Sequence, residues 1–290
     1  LRSLPELPEV ETVRKGLSDR LSFFYIEGVE VFRERVIASP GGSEEFRSNL
    51  CGASLGEWSR RGKYLIASLH KATEISGKTN LHGWLGVHLR MTGHFQWHQK
   101  LIPPCPHTRV RFWNQKEEEL RFVDTRSFGQ MWWVPATSSP QKTITGLKKL
   151  GPEPFSSQFN PSYLQRCIRG KTRSIKSALL DQSLVAGIGN IYADESLFSA
   201  GILPYKQSGQ LNQAEVELLC KSIVKVLKIS IGKGGTTFSD FRDLEGGDGK
   251  YGGEAWVYKR EGKPCKKCGS KIERQKLSGR GTHWCAKCQK

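Results

Sequence analysis

The chain has 290 residues, a formal net charge of +17, 37% hydrophobic residues and 10% aromatic residues. That content is enough to bury a core and excludes wholesale disorder, and the length fits two ordinary domains or one large one. No apolar run approaches the roughly 20 residues of a membrane span, and the three acids of LRSLPELPEVETV stand where a signal peptide would be apolar, so a soluble, cytoplasmic protein with a polyanionic partner is expected, nucleic acid ahead of anionic membrane. Pro5 to Glu9 opens the chain with two prolines and two carboxylates in five residues, which by itself reads as an extended lead into a capped helix over Glu9 to Arg20. From Leu17 to Val134 short β-rich runs follow, among them IEGVEVF, KYLIASL, GWLGVHL, RVRFW and LRFVD. Breaks such as SPGGSEE and LIPPCP separate them, predicting a β-sandwich or barrel with a flanking helix over residues 1–134.

Residues 135–149 have the composition of a linker. Helical patterns fill 150–253: PSYLQRCI behind an Asn160 N-cap and Pro161, SIKSALLDQ, NIYADESLFSAG ended by Gly201, and the amphipathic QAEVELLCKSIVKVLKISI. Gly232 to Gly253 carries eight glycines in 22 residues and reads as a mobile loop. Residues 254–290 hold 11 Lys and Arg against three Glu, a local net of +8. Here Cys265, Cys268, Cys285 and Cys288 form C-x2-C-x16-C-x2-C, the spacing of a four-thiolate structural Zn2+ on a β-hairpin. The overall expectation is an α+β multidomain fold: sandwich, helical domain, zinc hairpin.

Eight segments in order, PELPEVETV, RRGKYL (60–65), HLRMTG (88–93), DTRSFG (124–129), LGPEP (150–154), VAGIGNIYADE (185–195), GGTT (234–237) and GRGTHWCAKCQK (279–290), together resemble the formamidopyrimidine-DNA glycosylase (Fpg or MutM) family from Pro5 to Lys290. The resemblance implies a base-excision repair enzyme acting as a monomer on damaged double-stranded DNA. It would remove 8-oxoguanine and formamidopyrimidines and then cut the abasic site by β- and δ-elimination. It assigns Pro5 as the nucleophile, Glu6 as the adjacent acid/base, Lys63 as a second proton donor and Arg280 to the second elimination. A secondary amine suits the nucleophile's part, because its iminium needs no further proton to act as an electron sink, and an α-amine is more often neutral at pH 7 than a Lys ammonium.

Extrusion of a nucleotide leaves a vacancy, for which the resemblance implies Met91, Arg126 and Phe128, with Arg126 also facing the orphaned base. Phosphate contacts fall to His88, His107, Lys171 or Arg173, and Asn190; Asn190 follows a GIG turn at a helix start, where free N–H groups favour phosphate. Glu9, Lys176 and the loop after Thr236 would form the base pocket. PEL rather than PEG after the start, with the long loop, points to oxidised purines rather than to the oxidised pyrimidines of the endonuclease VIII branch. One feature conflicts with the pattern: Leu1 to Leu4 precede Pro5, and an amide nitrogen cannot form an iminium. Translation from a non-AUG codon at the Leu4 position, followed by Met removal, would expose Pro5; with Pro5 blocked, the alternative is a non-catalytic zinc-containing DNA-binding protein.

Overall fold

The computed structural model describes residues 4–21, 23–72, 79–236, 247 and 249–290. Helix α1 (Leu7–Leu21) buries Leu7, Val10, Val13, Leu17 and Leu21, one stripe at three- and four-residue steps. Two four-stranded antiparallel sheets follow. One has the order β1 (Gly28–Val31), β6 (Thr108–Trp113), β7 (Glu119–Val123), β5 (His94–His98); the other runs β2 (Ser54–Arg61), β3 (Tyr64–Ala72), β4 (Thr79–His88), β8 (Gln130–Pro135). Alternate residues of facing strands, such as Leu65, Ala67 and Leu69 of β3 and Val110 and Phe112 of β6, share one core with α1. The sandwich with its flanking helix therefore forms as the alternation predicts.

Three strands lie outside the runs that the sequence marks most clearly. β2, β5 and β8 carry Gly, Arg, His, Gln or a run of tryptophans, and their partners rather than their periodicity define them. The SPGGSEE break holds the start of α2 (Gly42–Leu50), which buries Phe46 and Leu50. The segment 135–149 is packed rather than free: α3 (Pro140–Thr143) and α4 (Thr145–Lys148) seat Ile144 and Leu147 against Tyr64, Trp132 and Val134. β3 and β4 pair out to Ala72 and Thr79, so most of 71–83 is strand; residues 73–78 lie outside the described residues.

The helical part contains α5 (Pro161–Ile168), α6 (Ile175–Leu179), α7 (Asn190–Ala200) and α8 (Gln213–Gly232). Asn160 caps α5 by accepting from the Tyr163 N–H, and Asn212 with Glu215 closes a capping box on α8. α7 is buried on nearly every side and ends at Gly201 in the left-handed conformation. The chain closes with the hairpin β9 (Glu273–Leu277) and β10 (Arg280–Trp284). Its two-residue turn, Ser278 and Gly279, has φ of 49° and 76°, the pattern of a type I′ turn. Among the described residues no helix is long and apolar enough to cross a membrane.

Candidate active site

The buried Glu6 carboxylate sits on the N-terminus of α7. It accepts from Gly189 N (2.8 Å), Ile191 N (2.9 Å) and Tyr192 N (3.3 Å). From the sequence alone these N–H groups are free for phosphate; in the fold Glu6 takes them instead, and the helix dipole serves an internal anion. Close approach requires the glycine at 189, because a Cβ there would meet the Glu6 carboxyl at 2.3 Å. Asn190 turns its Nδ2 to the Gly281 carbonyl (2.9 Å), tying α7 to β10.

A cleft of about 790 Å³ opens beside Glu6, lined in part by Lys63, Asn190, Tyr258 and Arg280. A second, of about 570 Å³, is lined by Pro5, His88, Met91 and Phe128. Leu4, Lys63, Met91 and Gln182 border both, so the residue ahead of Pro5 stands where the two meet. Burial raises the Glu6 carboxyl above its ordinary value, opposed by the Lys63 charge and the α7 N–H donors. Burial lowers the Lys63 ammonium, with Glu6 opposing and Arg280 adding to the fall. The proton affinities of the two groups are thus drawn towards each other, the condition under which buried groups exchange protons near neutral pH.

Glu9 lies behind Glu6. Its Oε2 accepts from Glu6 N (2.8 Å), and its Oε1 accepts from Tyr192 Oη (2.5 Å) and Thr236 N (2.7 Å). Burial, then the Glu6 charge, pushes its carboxyl up to about 7. The folded protein holds this proton more tightly than the unfolded chain. The stabilisation is therefore complete below about 4.5 and is lost as pH rises through about 7, a slope worth about 3 kcal/mol. Denaturant unfolding at pH 5 and pH 8 is expected to show this loss in the wild type and a flatter profile in Glu9→Gln. Equal pH dependence in the two proteins would refute the assignment.

The two loops with Met91 and Phe128 share one buried anchor. Thr92 Oγ1 donates to Asp124 Oδ1; Arg126 N also donates there (3.1 Å), and Gly129 N donates to Oδ2 (2.7 Å). Phe128 is exposed, with the Arg126 guanidinium 4.6 Å and that of Arg35 5.6 Å from its ring centroid. His88 Nδ1 accepts from Arg90 N (3.0 Å), which leaves the ring proton on Nε2 as a donor. Burial, helped by Arg90 and Lys63, lowers this imidazole to about 3, so it is neutral at pH 7.

His107, Lys171 and Arg173 are exposed and border neither cleft. Arg173 is paired with Asp181 (2.8 Å), whereas Lys171 has no ion-pair partner among the described residues. Lys176, expected in the base pocket, is buried between α7 and β10. Its buried ammonium contacts Asp194 Oδ1 (2.7 Å), Thr282 Oγ1 (2.8 Å) and Gly281 O (3.0 Å), so its three donors are spent in a joint between α7 and β10. Glu9 and Thr236 are buried too and bond each other rather than facing either cleft. Residues 237–246 and 248 of the Gly-rich loop lie outside the described residues.

Two neighbouring acids, for which the sequence motifs suggest no role, hold the C-terminal module. Asp194 Oδ2 accepts from His283 N (2.9 Å). Glu195 accepts from the backbone N–H of Trp256, Val257 and Tyr258. The available signal is their place in NIYADE, two adjacent charges among Ile, Tyr, Ala, Leu and Phe, because charge on a buried helix requires buried partners. In that module the Sγ atoms of Cys265 and Cys288 are 3.9 Å apart, those of Cys268 and Cys285 3.5 Å, and all four lie within 4.8 Å of one another. Tetrahedral thiolates at the usual Zn–S distance stand about 3.8 Å apart. The donor set fits one structural Zn2+, and these four cysteines hold it.

Three family models match the chain in order: the formamidopyrimidine-DNA glycosylase N-terminal domain over 4–131, the formamidopyrimidine-DNA glycosylase H2TH domain over 150–242, and the zinc finger found in FPG and IleRS over 262–290. Proteins named formamidopyrimidine-DNA glycosylase from Prochlorococcus marinus (strain MIT 9313) and Parasynechococcus marenigrum (strain WH8102) are 64% and 61% identical, covering 99% of this chain and all of each relative. A solved complex of a Lactococcus lactis FPG point mutant with DNA containing Fapy-dG superposes with a TM-score of 0.87 at 35% identity, covering 98% of this chain and 99% of that one. A wild-type Lactococcus lactis Fpg complex with DNA containing an oxidised pyrimidine gives 0.86 at the same identity and coverage. Sandwich, helical domain and zinc hairpin around one cleft define a DNA glycosylase of base-excision repair. The chain belongs to the formamidopyrimidine-DNA glycosylase family.

Proposed function

We propose that the protein excises oxidised purines, 8-oxoguanine and formamidopyrimidines, from duplex DNA with Pro5 as nucleophile, and then nicks the abasic site. The observation that carries this reading is Glu6 at the α7 N-terminus, next to Pro5 in sequence and beside Lys63 and Arg280 in one cleft. In a chain beginning at Pro5 the secondary amine attacks C1′. The bond from C1′ to the base breaks, and the base leaves with the proton that the amine nitrogen sheds on bonding to C1′. Glu6 delivers a proton to the sugar ring oxygen as the ring opens to the iminium. The iminium acidifies C2′; loss of its proton expels the 3′ phosphate, with Lys63 moving the proton, and a second elimination, assisted by Arg280, expels the 5′ phosphate. Met91, Arg126 and Phe128 fill the vacancy, and neutral His88 donates Nε2–H to a phosphate. Glu9 and Thr236 bond each other behind Glu6 and back the site.

This chemistry requires residues 1–4 to be absent, because Leu4 makes the Pro5 nitrogen an amide. Protein whose first residue is Pro5 is expected to form a borohydride-trapped adduct with an 8-oxoguanine duplex, and Pro5→Gly to lose most strand scission. Absence of an adduct would overturn the reading and favour a non-catalytic DNA-binding protein, as would intact-mass detection of residues 1–4 in fully active enzyme. The Lactococcus lactis complex with an oxidised pyrimidine favours a secondary activity on that class; thymine glycol excised more slowly than 8-oxoguanine is the expected order.

A further inference from the structure

The LGPEP segment (150–154) has no part in the chemistry above, yet it contains the acid that grips the turn carrying Lys63. β2 and β3 are joined by Gly62 and Lys63. Gly62 has φ of +56°, the pattern of a type II′ hairpin turn, which favours glycine at this place. Glu153 Oε1 accepts from Gly62 N (2.6 Å) and Arg61 Nη1 (2.8 Å), and Oε2 accepts from Arg60 Nη1 (2.7 Å). Arg60 Nη1 also donates to Gly62 O (3.1 Å), so both polar groups of the residue before Lys63 are held. Arg61 Nη2 reaches the carbonyls of Leu150 (3.1 Å) and Gly151 (2.6 Å).

The same segment is bonded to the loop leading into α7. Gly151 N donates to Gln182 O (2.8 Å) and Ala186 N to Pro152 O (3.0 Å). Gln182 in turn accepts from Gly187 N (2.9 Å) and donates to Ile188 O (2.7 Å), immediately before the N–H groups that seat Glu6. One chain of bonds therefore runs from the turn of Lys63, on the sandwich, to the cradle of Glu6, on the helical part. Its central member is a charged acceptor with three charge-assisted or strong partners.

We propose that Glu153 is a positioning residue that sets the Lys63 ammonium against Glu6 across the joint between sandwich and helices. The proposal rests on the reading of Lys63 as the proton carrier of β-elimination. Glu153 touches no substrate; it acts by fixing the peptide that precedes Lys63. A side chain displaced by an ångström loses much of its effect on a proton transfer, while phosphate contacts elsewhere still hold the duplex.

The test uses protein beginning at Pro5 and a duplex with a preformed abasic site. Glu153→Gln, which keeps shape but faces an amide towards arginines, is expected to slow single-turnover β-elimination about tenfold. Its Kd for a duplex bearing a tetrahydrofuran site is expected to stay within about twofold. Glu153→Asp, which keeps the charge, recovers part of the rate. In a Lys63→Ala background Glu153→Gln is expected to add less than about a twofold loss, because both changes remove one function. Wild-type elimination in Glu153→Gln overturns the proposal, as does a loss confined to Kd or one that multiplies with that of Lys63→Ala. Full elimination by Lys63→Ala alone sinks the Lys63 reading itself, and the two failures are thereby distinct. If Glu153→Gln fails to fold, Glu153→Asp carries the same comparison.

Discussion

Glu6→Gln in protein beginning at Pro5 is expected to lower single-turnover base release by about 10²–10⁴-fold, the range of a lost general acid–base group. An amide cannot lend or take the proton that ring opening requires. The carboxylate is also the acceptor for three N–H groups at the α7 start. Gln keeps one oxygen for them and turns an NH2 towards the rest, so a stability loss of about 1–3 kcal/mol accompanies the kinetic one. Binding of a duplex with a tetrahydrofuran site, which offers no base to release, separates the effects and is expected to stay within a few-fold. Base release within about tenfold of wild type would remove Glu6 from the chemistry. The pH profile should follow: because burial raises Glu6 and lowers Lys63, both act closer to neutral pH than exposed groups of their kinds.

Cys265→Ser is expected to have the other large effect: loss of the bound Zn2+ and a fall in DNA affinity of at least about 100-fold. Structural zinc contributes about 10–16 kcal/mol of binding free energy that is also folding free energy in small modules. Here the module has few apolar residues of its own; Val257, Ile272 and the cysteines pack on Phe198 of α7. Without the metal the hairpin cannot hold Arg280 at the cleft, and eight of the 17 net charges lie in residues 254–290. The sandwich has a separate core and should survive. Metal analysis, salt-dependent duplex binding and near-UV circular dichroism check the three parts. Retained affinity in zinc-free protein would refute the role given to the module.

Much of the architecture was legible because it rests on local patterns. Alternation marked β3, β4, β6 and β7; caps at Asn160 and Gly201 marked helix ends; two C-x2-C turns marked the metal site. β2, β5 and β8 are less legible, since Gly and charged residues interrupt β2, β5 is short, and the apolar run of β8 lacks alternation, so cross-strand partners define their bounds. The chain-order motifs named Pro5, Glu6, Lys63 and Arg280, but nothing in their spacing showed that Glu6 occupies the α7 N-terminus. That loss matters for Asn190, whose helix was expected to offer its N–H groups to phosphate.

By itself the sequence determined the class of fold, the zinc ligands and the polyanionic character of the partner. Those properties follow from residue type and short spacing. Only the tertiary structure decided which charges meet. Lys176 is spent on Asp194 and the start of β10, Asp124 joins the loops that carry Met91 and Phe128, and Glu153 grips Gly62 from 91 residues away. The reason is physical: a buried charge is tolerable only where the rest of the chain supplies its partners, and those partners are set by packing between distant segments.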